Sequence, residues 1–313
     1  GEPMKKALIA VVVVLAVLAV AYLGGSWYFS GLIVAFTPNS LAEERLKDGD
    51  PQDYGLPAPE EISFQGDGVT LAGWYFDNPA DGNCGVILMH GINGNRYREL
   101  KYTPLFWERG CDLMLYDHRH HGASTGDYGT YGFYEKEDGL AAVDWFAART
   151  GLPHERIGLQ GESYGAATAL QTGALDTSLA FVAADSPYRD LKTIVSDQAV
   201  AQYGPWMKVL VPGALAVSGL RADFVPSQVS PMISAESLTE PVLLVHSTSD
   251  DYILPYHSED IFAHLPETTC KQLDLTDWGS SHANSVNDNY DAYKVLVDKF
   301  LNDCVPGFGT ATQ

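Results

Sequence analysis

Apolar residues fall along this chain in three rhythms, and each predicts a different kind of element. The first is unbroken. Lys5 and Lys6 lead into an uncharged run of Val, Leu and Ala over 7–23, and apolar and aromatic residues continue through Trp27-Tyr28-Phe29 to Phe36. Such a run can cross about 30 Å of hydrocarbon, and it ends in an aromatic belt. Ala19-Val20-Ala21 resembles a small-residue cleavage site, so a signal peptide competes with an uncleaved anchor. The uncharged stretch exceeds the usual signal-peptide core, which favours the anchor. Under both readings positive charge lies only on the N-terminal side, so the bulk of the chain is exported. Gly1-Glu2-Pro3 precede Met4 and read as an appended scar, which makes 1–36 a scar plus membrane segment.

Residues 37–59, with Pro38, Pro51, Pro57, Pro59 and several acids, read as a linker and lead-in. The second rhythm then begins. Residues 61–64 and 69–76 alternate apolar with polar or small residues around Gly66-Asp67-Gly68, a hairpin signal. In the third rhythm, short continuous apolar strands alternate with helical stretches. The strands are 85–89, 113–116, the run into Gly161, 179–184, 242–245 and 271–275; the helices are 96–109, 134–149, the run after Gly165 and 284–301. A hairpin followed by buried strands and helices in alternation predicts an α/β fold, a mostly parallel eight-stranded sheet with helices on both faces. The alternation breaks over 186–238, which reads either as a small lid over the carboxyl edge or as a helix and loop packed on the core. The main domain is expected over 60–305, with 306–313 as a tail.

Composition narrows the partners. About 270 residues beyond the anchor suit one large domain. Forty acidic against 19 basic residues give a formal charge of −21. That excess argues against nucleic acid and against an anionic membrane surface as partners. Oligomeric state is left open.

The candidate chemistry centres on Gly161-Glu162-Ser163-Tyr164-Gly165, which joins an alternating strand to a run of helix formers. Strand, G-x-S-x-G, helix is the context of a nucleophile elbow, whose strained turn lifts a serine clear of the sheet. A neutral alcohol is a poor nucleophile, so Ser163 needs a base and an orienting acid. Position selects among nine histidines. His90, His118, His120 and His121 follow earlier strands, His154 precedes the elbow strand, and His257 and His264 sit in a helical stretch. His282 alone follows the last strand, at the edge where Ser163 emerges, and is the expected base. Asp250 or Asp251, after strand 242–245, gives the order Ser, Asp, His; Asp185, after the strand following the elbow, is the rival acid. An oxyanion needs two N–H donors. Tyr164, after the nucleophile, supplies one, and Ile92 in His90-Gly91-Ile92-Asn93-Gly94-Asn95 the other. The cluster His118-Arg119-His120-His121 has no acid or cysteine spaced to complete a metal tetrahedron, so no metal is expected, and no cofactor is needed. Asp117 and Arg119 read as a structural pair.

Together these residues resemble the α/β-hydrolase superfamily, from about 61 to 301. The elbow, His90-Gly91-Ile92-Asn93-Gly94-Asn95-Arg96, Tyr116-Asp117-His118-Arg119-His120-His121-Gly122-Ala123-Ser124 and Tyr131-Gly132-Phe133-Tyr134-Glu135 are most similar to the serine aminopeptidase-like branch of bacterial hydrolases. That branch usually carries His-Gly-x-x-Asp before a valine-proline pair. Here Ser247 replaces the glycine, and one residue more separates Asp250 from Pro255; aligning on His246 makes Asp250 the acid. The resemblance implies a serine esterase with a small-molecule ester substrate, from a branch some of whose members are membrane-anchored; the small lid suggests a short or medium acyl chain. A peptidase or amidase of the same fold and a non-catalytic envelope scaffold are the rivals. It also implies that the starts of the strands at Cys84 and Cys111 are neighbours, and that Cys304 returns to Cys270, giving disulfides Cys84–Cys111 and Cys270–Cys304.

Overall fold

In the computed structural model, which describes residues 1–80 and 82–309, the strands are β1 (Glu60–Gln65), β2 (Thr70–Phe76), β3 (Gly85–Met89), β4 (Asp112–Tyr116), β5 (Ile157–Glu162), β6 (Phe181–Asp185), β7 (Val242–Ser247) and β8 (Lys271–Thr276). They join in one eight-stranded sheet in the order β1-β2-β4-β3-β5-β6-β7-β8. β1 and β4 both run antiparallel to β2, and every other pair is parallel. The end of the expected tail, 310–313, lies outside the described residues.

The helices are α1 (Glu2–Val34), α2 (Leu41–Asp48), α3 (Thr103–Trp107), α4 (Glu135–Thr150), α5 (Tyr164–Gly173), α6 (Leu191–Tyr203), α7 (Val211–Ala222), α8 (Pro231–Ala235), α9 (Tyr256–His264), α10 (Ser285–Asp288) and α11 (Tyr290–Cys304). Successive side chains of a strand point to opposite faces, and β3 divides accordingly. Ile87 and Met89 share one buried cluster with Phe146 of α4, Leu170 of α5 and, farther along the sheet, Ile261 of α9. Val86 and Leu88 pack with Phe106 of α3 and with Val297 and Phe300 of α11. Both faces are covered, which is why β3 has no polar position and all five of its residues are buried. Cys84–Cys111 ties the start of β3 to that of β4, and Cys270–Cys304 ties the start of β8 to the end of α11.

Two expectations, the single closing helix and the Asp117–Arg119 pair, are corrected, and two, the helical stretch 96–109 and the lead-in 37–59, gain detail. The closing helix is two helices, broken at Asn289 (φ −149°, ψ 66°). The stretch 96–109 is a tight 3-10 turn over Arg96–Tyr102 and then α3, where Pro104, lacking an N–H, starts a new helix. The segment 37–59 carries α2, capped reciprocally by Ser40 and Glu43, and its Glu44 side chain is fully buried against Arg98 and Lys47. Asp117 does not pair with Arg119. It takes the Arg96 guanidinium at 2.9 Å, while Arg119 holds Asp138 at 2.6 Å.

The insert folds as α6, α7 and α8. α7 lies along the C-terminal turns of α1, and a third apolar cluster (Ile33, Val34, Leu191, Ile194, Val211 and Leu215 among others) joins them over the carboxyl edge of the sheet.

Candidate functional site

β5 ends at Glu162, and α5 begins at Tyr164 with no intervening loop. Ser163 therefore sits at φ 53°, ψ −112°, a conformation that L residues adopt only when their surroundings impose it. The flanking glycines are obligatory. A Cβ on Gly161 would stand 2.5 Å from the Gly165 carbonyl, and one on Gly165 would stand 1.8 Å from the Met89 carbonyl oxygen. Ser163 N–H donates to Asp185 O at 2.7 Å, fixing the turn to β6.

The loops after β7 and β8 reach the same edge. His282 Nε2 lies 2.8 Å from Ser163 Oγ, and its Nδ1 lies 2.6 Å from Asp250 Oδ2. With Nδ1–H donating to the carboxylate, Nε2 is left to accept from the serine hydroxyl. Asp250 Oδ1 accepts the N–H groups of Tyr252 and Ile253, each at 2.9 Å. Burial alone would raise the Asp250 pKa, but hydrogen bonds from His246, His282 and the backbone outweigh it and hold the group well below the usual carboxylate range. The other two candidate acids lie elsewhere. Asp251 is exposed, and the Asp185 carboxylate is taken up by the hydroxyls of Tyr102, Tyr293 and Ser186.

Ile92 and Tyr164 border one narrow cavity of about 20 Å³ together with Ser163; Tyr188, Ile194 and Ile253 make it apolar. That space holds roughly one water. A second cleft bordering Ser163, about 530 Å³, is polar and lined by Asn39, Asp48, Arg98 and Lys101. Burial and a hydrogen bond with Glu44 push Asp48 up to about 6.

Three groups escaped the sequence reading. His246 donates from Nε2 to Ile253 O and lies 3.2 Å from Asp250 Oδ2. Lys101 Nζ lies 2.5 Å from Glu162 Oε2 and donates to Ala283 O at 2.7 Å, so one ammonium ties the elbow to the His282 loop. Glu99 is fully buried with neither oxygen hydrogen-bonded, and burial followed by the charge of Glu162 raises it well above the ordinary value. Glu162 sits at a variable position of the elbow motif, and nothing in the local sequence marks Lys101 or Glu99. His246 stands in the motif that selected Asp250, but its spacing does not show that the two side chains meet. His90, His118 and His121 form a buried cluster in which burial pushes His118 and His121 down to about 3; among the described residues, no group of three or more potential ligands is placed to hold a metal.

A sheet of this order, with a serine elbow after β5 and the acid and imidazole on the loops after β7 and β8, makes the chain a hydrolase of the α/β-hydrolase fold. Residues 116–306 match the prolyl oligopeptidase family, and the chain belongs to it. A Bacillus subtilis relative, the uncharacterized protein YqkD, is 30% identical over 312 residues, covering 96% of this chain and 98% of its own. Among solved structures, the Pyrococcus furiosus esterase Pf2001 superposes with a TM-score of 0.65 at 22% identity, covering 82% of this chain and 94% of its own. The Pyrococcus horikoshii acylaminoacyl peptidase superposes at 0.64 and 17% identity, covering 82% of this chain and 44% of its own.

Proposed function

We propose that the protein is a serine hydrolase that cleaves carboxylic esters of short or medium acyl chain. The observation that carries this reading is one imidazole, His282, standing 2.8 Å from a serine hydroxyl and 2.6 Å from a buried carboxylate. His282 takes the Ser163 proton as Oγ bonds the acyl carbon. Asp250 holds the tautomer and the imidazolium that forms. The N–H groups of Ile92 and Tyr164 stabilise the oxyanion, and loss of one such donor costs about 2.7–4 kcal/mol of barrier. His282 then protonates the departing alcohol, and water, activated by the same imidazole, releases the acid.

A likeness in fold to an archaeal esterase supports ester cleavage. Membership of the prolyl oligopeptidase family supports a second reading, peptide or amide hydrolysis. A p-nitrophenyl ester chain-length series against the matching anilides, on wild type and Ser163→Ala, separates them. Faster ester turnover, abolished by the substitution, supports the first reading; activity surviving in Ser163→Ala would refute both.

The apolar α1 and the two disulfides support a domain arrangement in which 1–36 anchors the chain and 60–305 lies outside the membrane, in an oxidising compartment.

A further inference from the structure

α1 is long and apolar enough to cross a membrane, and most of its length stands clear of the protein. Its last turns do not. A Cβ on Gly213 of α7 would lie 2.3 Å from Ser26 Oγ and 2.7 Å from the Tyr22 hydroxyl, so a small residue there lets the helices pack closely. Leu210 reaches Gly25, and the Arg221 guanidinium binds Ser30 Oγ at 3.0 Å. These contacts fix the height of the insert against the bilayer. A hydrocarbon slab of about 30 Å takes about 20 residues of helix, which counted from Ala7 ends near Ser26, the level of Leu210 and Gly213.

What the insert exposes at that level is largely apolar, with Lys208 standing between Trp206 and Val209, where its long side chain can reach the headgroups. Trp206 is 57% exposed and Val209 69%, and on α1 Trp27 is 61% and Tyr28 64% exposed. Such a patch is unfavourable in water and suits the bilayer interface, where aromatic side chains collect. A cavity of about 150 Å³ lies between α1 and the insert, lined by Phe29, Leu32, Ala199, Tyr203, Met207 and Val211. It shares Tyr131, Val195 and Gln198 with the narrow cavity at Ser163, so the two adjoin across those side chains.

We infer that the substrate is an ester dissolved in the membrane, whose acyl chain passes from the bilayer between α1 and the insert and lodges in this cavity with its carbonyl at Ser163. The inference rests on the serine-esterase reading above and extends its acyl side beyond short chains. Ser163 Oγ bonds the acyl carbon as the bond to the alcohol oxygen breaks. That oxygen leaves with the proton His282 took from Ser163, and water then frees the fatty acid. The polar cleft takes the alcohol portion, which no apolar wall could solvate.

The test uses the full chain in phosphatidylcholine vesicles, with p-nitrophenyl palmitate dissolved in the bilayer and p-nitrophenyl acetate supplied from water. Ala199→Trp fills the α1 cavity without touching the narrow one, and Leu32→Trp does so from an exposed helix position if the first variant does not fold. The expected result is a loss of palmitate turnover of about tenfold or more, with acetate turnover within about twofold of wild type. Palmitate turnover that falls no further than acetate turnover in the folded variants overturns the inference. So does a wild type that cleaves acetate but not palmitate, and either result leaves the serine reading standing. Acetate cleavage by Ser163→Ala would undo that reading as well.

Discussion

His246 Nε2 approaches Asp250 Oδ2 at 3.2 Å, the same oxygen that accepts from His282 at 2.6 Å. Both side chains of this first pair are fully buried, so one imidazole braces the carboxylate that orients the other. His246→Leu removes that brace and strands Ser258 Oγ. The expected outcome is a kcat/KM loss of about tenfold with KM little changed, and a stability cost of about 1–3 kcal/mol. Steady-state kinetics and urea denaturation check it; an unchanged kcat would deny His246 a positioning role.

Lys101 sits 2.5 Å from Glu162 with both side chains almost wholly shielded (9% and 4% exposed). Burial would lower the lysine pKa, but the Glu162 carboxylate outweighs it and holds the group above its ordinary value. Removing one member of a buried pair leaves the other charged and uncompensated. Lys101→Met is expected to destabilise by about 3–5 kcal/mol and to lower turnover, because the Ala283 carbonyl beside His282 loses its donor as well. A denaturation midpoint equal to wild type would contradict this.

Glu99 gives a pH dependence of known sign. Its folded pKa lies well above the unfolded value of about 4.3, so above that pH the folded state keeps a proton that the unfolded state has lost. Stability therefore falls as pH rises from about 4 toward the folded pKa, by up to about 1.4 kcal/mol per pH unit. Glu99→Gln is expected to flatten that slope, gaining on wild type as pH rises above about 5. Parallel stability–pH curves for the two proteins would contradict it.

Cys270–Cys304 closes a loop of 34 residues across β8 and α11. Replacing both cysteines by alanine is expected to cost about 2–4 kcal/mol, read as a lower Tm by calorimetry. Reducing agent should lower the wild-type Tm and leave the Tm of the same fold lacking both disulfides unmoved.

The sheet was legible because its central strands are buried on both faces and carry no polar interruption, as all five residues of β3 illustrate. Strand order then places the loops after β5, β7 and β8 on one edge, which is how Ser163 and His282 could be matched across 119 positions. The choice among Asp185, Asp250 and Asp251 was not open to spacing alone. It depends on side-chain direction, and the Tyr102 and Tyr293 hydroxyls that occupy Asp185 come from distant segments. The same reason hid the true partners of Asp117 and Arg119. Neighbours in a loop point apart, while Arg96 and Asp138 stand 21 and 19 positions away. The segment around α2 was masked by its prolines and acids, although Ser40 and Glu43 spell out a capping box.

The central claim is that Ser163 is a nucleophile activated by His282. Intact-mass analysis after fluorophosphonate treatment tests it most directly. One adduct on the wild-type chain, mapped to Ser163 and lost in both Ser163→Ala and His282→Ala, is the expected result. No adduct on wild type, or an undiminished adduct on Ser163→Ala, would contradict it.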